Sequence, residues 1–463
     1  MNITRYSSLF FLVCGVAAIA ANAAVPEVTG VTMLQDDRHR EVTIQYTFTG
    51  ADAVITLDVQ TNYLDGAETK WASIGGEAIC NAQGDVWKKV VCDGSTHTIS
   101  WRPDLSWPDH KVRNSGARAV VTAWSLDNTP DYMVVDISSS AQANSQRYYP
   151  AADFLPGSAP GQRGAVTNNA EYKVSKLVMR KIMAKDVAWT AGTITASYPV
   201  CLTNNYYIGV FEVTQGQWNQ VKGQWPSYFT NKSDRVWRPV ERIGYNIIRM
   251  SNDQWWQTGT TPTSAQCEWP KAPYPTSFLG VLRSRTGLDF DLPGEHQWEF
   301  ACRAGHGETF WGDGSAVLGN TASDANLGRL ARYAGNWAGY TTSPDRGIAA
   351  SAGGTAVVGS FAPNSWGLYD MHGNVLEITI DAEKPDGNIN AKRTAGGAIL
   401  VGSTTTYETA RIVRGGGWRK YNTNVGDCRP YFSWGHCPWI FAADGPEMKY
   451  SEGFRVVCRA GLE

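Results

Sequence analysis

The sequence predicts an α+β protein in two parts, an antiparallel β-sandwich of immunoglobulin or fibronectin type followed by a larger mixed domain. Three observations carry this. A chain of 463 residues is too long for one compact core. Its first part alternates apolar and polar residues with period two, broken by turn residues every dozen positions. Beyond residue 176, capped segments of helical period appear between strands. With 47 Gly, 21 Pro and 19 Trp, short elements and long ordered loops are expected rather than helical bundles. Charged residues make up 18% and the net charge is −2, which gives no support for a nucleic-acid or anionic-membrane partner.

Residues 1–23 read as a secretory signal. Arg5 supplies the positive start, the run from Leu9 to Ala20 the apolar core, and Ala21-Asn22-Ala23 a small-residue cleavage site. A location outside the cytoplasm is therefore expected: secreted, periplasmic or at the cell surface. No other run approaches the roughly 18 apolar residues of a membrane span. Cys14 lies within the signal, so eight of the nine cysteines remain, and an even number in an oxidising compartment predicts disulfides.

Residues 24–138 are assigned to the sandwich, with strands at 42–48, 54–59, 96–101, 119–124 and 132–137. Cys80 and Cys92 flank an expected hairpin over 81–91 and are placed to staple it. His39, His97 and His110 are isolated, and no catalytic cluster is visible here. Residues 139–175 are rich in Ser, Ala, Gly and Pro and read as a linker.

Residues 176–463 form the second domain. Strands are expected at 177–179 and 206–213. Thr214 and Gln217 then have capping-box spacing, which predicts a helix of about eight residues burying Trp218 and Val221. A helix at 277–285 should stop at Gly287, and another at 294–304 should bury Trp298, Phe300 and Ala301 and end at Gly305. Glu295 and Glu299 lie four apart on that helix. As a pair they suit acid–base work, but Glu295 in the first turn is also favoured by the helix dipole.

The stretch 365–379 (S-W-G-L-Y-D-M-H-G-N-V-L-E-I-T) places Asp370 and Glu377 on either side of a Gly-Asn turn. Such a loop gathers oxygens, and Ca²⁺ takes about six to eight oxygen ligands; the alternative is a capped turn in a loop-rich core. With 206–222 (Y-Y-I-G-V-F-E-V-T-Q-G-Q-W-N-Q-V-K), 290–305 (F-D-L-P-G-E-H-Q-W-E-F-A-C-R-A-G), R-G-G-G-W at 414–418 and G-F-R at 453–455, it makes five ordered blocks. Together they resemble the formylglycine-generating enzyme, or sulfatase-modifying factor, family, whose domain is a variant of the C-type lectin fold. The resemblance covers residues 176–463. It implies structural Ca²⁺ at Asp370, Gly373, Val375 and Glu377, a second site beginning at Asn336 and Trp337, and a disulfide joining Cys302 to Cys458. The family's oxidising members hold copper with two cysteines five apart after R-G-G; here those positions fall near Lys420 and Val425. Soft thiolates suit Cu(I), so copper is not expected. Cys428 and Cys437 come later and are nine apart.

The region 418–439 offers Lys420, Tyr421, Asn422, Tyr431, Trp434 and His436, aromatic rings and polar groups of the kind that face sugars or peptide side chains. The preferred reading is a calcium-stabilised, non-catalytic protein with a glycan or protein ligand, or a structural role at the cell surface. The alternative is an oxygen-dependent, formylglycine-generating-type oxidoreductase with a rearranged metal site at Cys428 and Cys437.

Overall fold

The computed structural model describes residues 24–36, 38, 40–110, 116–157, 165–193, 195–229, 233–250, 272–319, 323–336, 354–382, 411–418, 425–432, 434–436 and 451–461. The expected signal at 1–23 lies outside them. Eight strands build the first part: β1 (Glu27–Asp36), β2 (Glu41–Thr49), β3 (Ala53–Asp65), β4 (Glu68–Ser73), β5 (Gln83–Gly84), β6 (Lys88–Val90), β7 (His97–Trp101) and β8 (Ala117–Ser125). One sheet has the order β1-β2-β7-β5; the other is β4-β3-β6, with β8 also paired to β3. The period-two pattern sets which side faces in: on β2, Val42, Ile44, Tyr46 and Phe48 are buried while their neighbours are not. They share a core with Ile55, Leu57 and Val59 of β3 and Val121 of β8, which makes the pair of sheets a sandwich.

The hairpin expected between Cys80 and Cys92 does not form. β5 pairs with β7 in one sheet and β6 with β3 in the other, so this segment crosses between the sheets. Both cysteines are free thiols, and Cys92 Sγ lies 3.6 Å from the Phe48 carbonyl.

The second part starts earlier than the sequence suggested. β9 (Tyr132–Asp136) and β10 (Arg147–Tyr149) join β11 (Lys176–Ile182), not the sandwich. Four of the five β9 residues are buried in succession, and a strand covered on both faces carries no alternation to assign it. Tyr148, Tyr149, Leu155 and Tyr172, from the segment read as linker, are core residues. β12 (Ala188–Thr193) and β13 (Ala196–Cys201) form a separate hairpin, after which β14 (Tyr206–Gly209) pairs with β11. A further sheet is built by β15 (Leu376–Ala382), β16 (Arg411–Arg414), β17 (Trp434–His436) and β18 (Glu452–Gly453), in the order β17-β16-β15-β18. The last strand, β19 (Val457–Arg459), closes the sheet β10-β9-β11-β14-β19 by pairing with β14.

Among the described residues, three helices of eight or nine residues pack on this frame. α1 (Gln215–Lys222) has the expected capping box: Thr214 Oγ1 accepts from Gln217 N at 3.0 Å, and Gln217 Oε1 accepts from Thr214 N at 3.0 Å. Its buried Trp218 stacks on Phe278 of α2 (Phe278–Thr286), with ring centroids 4.9 Å apart. Ser277 caps α2, and Gly287 ends it in the left-handed region. α3 (Glu295–Arg303) buries Trp298 and Ala301 completely; Ala304, one residue before the expected Gly305, is the first to take a positive φ. Among the described residues no helix is long and apolar enough to cross a membrane.

Thr214 also donates to the Lys173 carbonyl at 2.6 Å, so its hydroxyl serves two backbone groups at once. Thr214→Ala is expected to lower stability by about 2 kcal/mol, through loss of the cap and of a buried hydrogen bond. A shift of the urea midpoint at constant m-value checks this.

Candidate functional site

The loop 365–379 is wound tightly, with positive φ at Gly367, Asp370, Gly373 and Asn374. Only glycine serves at 373, because a Cβ there would lie 2.4 Å from the Arg332 carbonyl oxygen. The loop brings three buried carboxylates around one guanidinium. Glu377 receives Arg455 Nε at 2.6 Å and Nη2 at 2.5 Å, and Trp298 Nε1 at 2.7 Å. Glu212 accepts from Asn374 Nδ2 at 2.6 Å and from Val375 N at 3.1 Å. Asp370 accepts from Gly359 N at 2.7 Å, while its other oxygen is buried without a partner. Arg455 donates further to the carbonyls of Gly209 and Tyr369. Burial, reinforced by Asp370, pushes the Glu212 carboxyl well up, and burial pushes Asp370 up to about 6.

This arrangement departs from the expected calcium shell. The cation beside Glu377 is Arg455, and the Val375 amide is directed at Glu212. Asn336 closes its own turn, accepting from Tyr333 N and donating to the Ala331 carbonyl, and Trp337 lies outside the described residues. Among the described residues no three His, Cys, Asp or Glu side chains converge as a metal shell. Glu377, the expected acidic ligand, is taken up by Arg455, while Asp370 keeps one buried oxygen without a partner.

A second buried network ties α3 to β15 and β16. Arg414, the arginine of R-G-G-G-W, meets Glu295 at 2.6 Å and Glu299 at 3.3 Å. Glu299 also pairs with Arg303 at 2.6 Å, and Asp381 accepts from Glu295 N at 2.6 Å. Glu295 and Glu299 therefore anchor the R-G-G-G-W turn to the helix. Burial, with the nearby Glu295 charge, pushes the Asp381 carboxyl up to about 7.

Cys302 and Cys458 do not form the expected disulfide; both are thiols, as are the other four described cysteines. Cys302 Sγ faces the His372 ring at 3.7 Å and the Met371 carbonyl at 3.5 Å, whereas Cys458 belongs to β19 opposite Tyr207. His372 Nδ1 donates to the Cys428 carbonyl at 2.8 Å, and Nε2 accepts from Gly312 N at 3.1 Å. That neutral imidazole is a turn clamp, held down to about 4 by burial. Val425 and Cys428 are fully buried with Trp311, Leu327, Leu330 and Tyr333, and burial pushes the Cys428 thiol far up. At Gly416, an added Cβ would lie 2.8 Å from Cys428 Sγ. Lys420, Tyr421, Asn422 and Cys437 lie outside the described residues, as do the side chains of Trp434 and His436 on β17. Tyr431 is half-buried, and its hydroxyl accepts from Arg429 at 2.8 Å.

Residues 183–460, more than half of the chain, match the sulfatase-modifying factor enzyme 1-like domain. The chain belongs to this family. The sulfatase-modifying factor domain thus contains all five sequence blocks, and its two buried ion networks draw residues from each of them. Among relatives, the chaperone protein LppX of Paenibacillus barcinonensis is 27% identical over 219 residues, 44% of this chain and 72% of that protein. The formylglycine-generating enzyme of Mycobacterium tuberculosis is 33% identical over 105 residues, 22% of this chain and only 31% of the enzyme's length. Among solved structures, Treponema denticola variable protein 1 has 22% identity and a TM-score of 0.38, with 61% of this chain and 95% of that chain covered. PvdO from Pseudomonas aeruginosa has 18% identity and a TM-score of 0.38, covering 61% and 94%.

Sequence reasoning missed Glu212, Arg455 and Asp381 as parts of these networks. The signal was present as a charge within an apolar run: V-F-E-V, G-F-R-V-V and I-T-I-D. Charges there are buried and need partners.

Arg455→Met leaves Glu377 buried beside Glu212 and Asp370 without a counter-charge, and is expected to cost about 3–5 kcal/mol in a denaturant melt. Stability should also depend on pH. Asp381 and Glu241 titrate near 7 in the fold, raised by burial from ordinary values of 3.8 and 4.5, so the folded state holds protons that the unfolded chain has released. Their contribution to stability falls as pH rises toward and through 7. Buried His296 and His372, lowered from 6.5 to about 4, act in the opposite sense but only below 6.5. The melting temperature should therefore fall between pH 6.5 and 8, and Asp381→Asn should flatten that slope.

Proposed function

We propose that the protein is a non-catalytic member of the family, exported from the cytoplasm, that binds a protein or glycan ligand. One observation carries the reading: where the oxidising members place a pair of copper-binding thiols, the chain has Lys420 and Val425, and Val425 is sealed in an apolar cluster. A thiolate pair is what a soft copper ion needs, and neither position has a sulfur. The nearest cysteine, Cys428, is fully buried, so its thiolate form is disfavoured. The likeness to LppX, which is named a chaperone, supports a binding role over chemistry. The cleavage-site pattern at 21–23 supports export. The composition of 418–439 supplies rings and polar groups for a ligand surface.

Copper-treated protein incubated under oxygen with a sulfatase-type cysteine peptide should give no aldehyde product by mass spectrometry. Turnover that disappears in Cys428→Ser would overturn the reading. Peptide and glycan arrays probed with the full chain should give ligands whose binding is lost in Tyr431→Ala with Trp434→Ala.

A further inference from the structure

The sandwich leaves core-facing side chains uncovered along one edge. β1 ends one sheet, β8 pairs with β3 in the other, and the two strands are neighbours. On β1, Val31, Met33 and Gln35 stand opposite Tyr46, Ile44 and Val42 of β2, so they share the core side with those buried residues. Yet Val31 is 37% exposed, Met33 is half-buried and Gln35 is exposed. The reason lies across the gap. Where β2 presents Val, Ile, Tyr and Phe to the interior, β8 presents Ala117, Ala119, Val121 and Ala123. Alanine side chains are too short to cover the β1 residues that face them.

What remains is a pocket of about 260 Å³. Its buried lining is Val42, Val59 and Trp101, and Ala117 and Ala119 of β8 also border it. Part of its wall is aromatic: Trp107 stacks on His110 with centroids 4.0 Å and planes 9° apart, and stacks against Trp101 at 6.5 Å. Among the described lining residues only Arg118 carries a full charge. Its guanidinium is held at the outer face of the sheet, donating to Gln60 Oε1 at 2.7 and 2.9 Å and lying 4.4 Å over the Trp71 ring. The Trp101 indole is committed as well, donating to the Ala78 carbonyl at 2.8 Å. His110 Nδ1 donates to the Pro108 carbonyl at 2.8 Å, so in the neutral ring Nε2 is an acceptor.

We propose that this pocket binds an uncharged aromatic ligand of one or two fused rings. A cavity of about 150 Å³ takes benzene, so this volume has room for a bicyclic ring. An open apolar slot forfeits the dispersion contacts of its lining, and an apolar ligand restores them. An ion would lose hydration here without gaining a counter-charge. The faces of Trp101, Trp107 and His110 favour a flat π-system over a saturated skeleton of the same size. His110 Nε2 and the exposed Gln35 amide supply polar contacts for a hydroxyl on the ring. The pocket shares no residue with 418–439, so binding here is independent of the ligand surface assigned to that segment.

The test is calorimetric titration of the full chain with 1-naphthol and, separately, with decahydro-1-naphthol, which keeps the skeleton and hydroxyl but has no π-face. Saturable binding of 1-naphthol is expected, about threefold or more tighter than that of the saturated compound. Ala119→Leu extends a core-facing side chain into the slot and should abolish binding while the melting temperature is held or raised, as for a filled cavity. If Ala119→Leu does not fold, Ala117→Leu takes its place with the same expectation. Trp107→Leu removes part of the aromatic wall and should weaken 1-naphthol binding severalfold. No saturable binding of 1-naphthol, equal binding of the two compounds, or unchanged affinity in any of these variants that folds overturns the proposal.

Discussion

The Arg455–Glu377 pair is the contact on which the second part of the molecule depends. Both side chains are fully buried, and the guanidinium reaches two carboxylate oxygens and two backbone carbonyls. Removing two ions from water is unfavourable, and the geometry repays it only because each donor and acceptor finds a partner. The pair links three parts distant in sequence: the G-F-R turn before the last strand, the 365–379 loop, and α3 through the Trp298 indole. None can shift without leaving a charge unpaired in the core.

A second ion network lies beside the first. Arg414 with Glu295 and Glu299 fixes the R-G-G-G-W turn against α3, and Trp298, between the two sets of charges, belongs to the same helix. Motifs that in sequence look like five separate signatures are, in space, two charge clusters and the glycine turns that let them close. Gly373 and Gly416 show the same logic sterically, since a Cβ at either would strike a neighbour. The family pattern is therefore a pattern of internal structure.

The sandwich is not an appendage on a flexible tether. Tyr132 and Val134 of β9, Tyr149 of β10 and Leu155 share a hydrophobic cluster with the sandwich strands, and β9 lies in the sheet of the second part. Large apolar side chains spread through a Ser- and Gly-rich stretch are enough to bury it, although its composition reads as linker. A ligand bound in the second part therefore meets a body continuous with the sandwich.

What the sequence determined by itself was local. The Thr214–Gln217 capping box, the Gly287 stop of α2, the period-two burial of β2 and the order of the five blocks all depend on residues within a few positions of one another, where propensity and turn chemistry operate. Tertiary structure decided everything that depends on partners far along the chain. Glu377 reads equally well as a cation ligand or as a buried ion until Arg455, 78 residues away, is placed beside it. Cys302 and Cys458 read as a bridge until one is found against His372 and the other on β19. The physical reason is the same in each case: a charge, a thiol or an amide takes its role from the groups around it, and sequence spacing does not encode which distant groups those are.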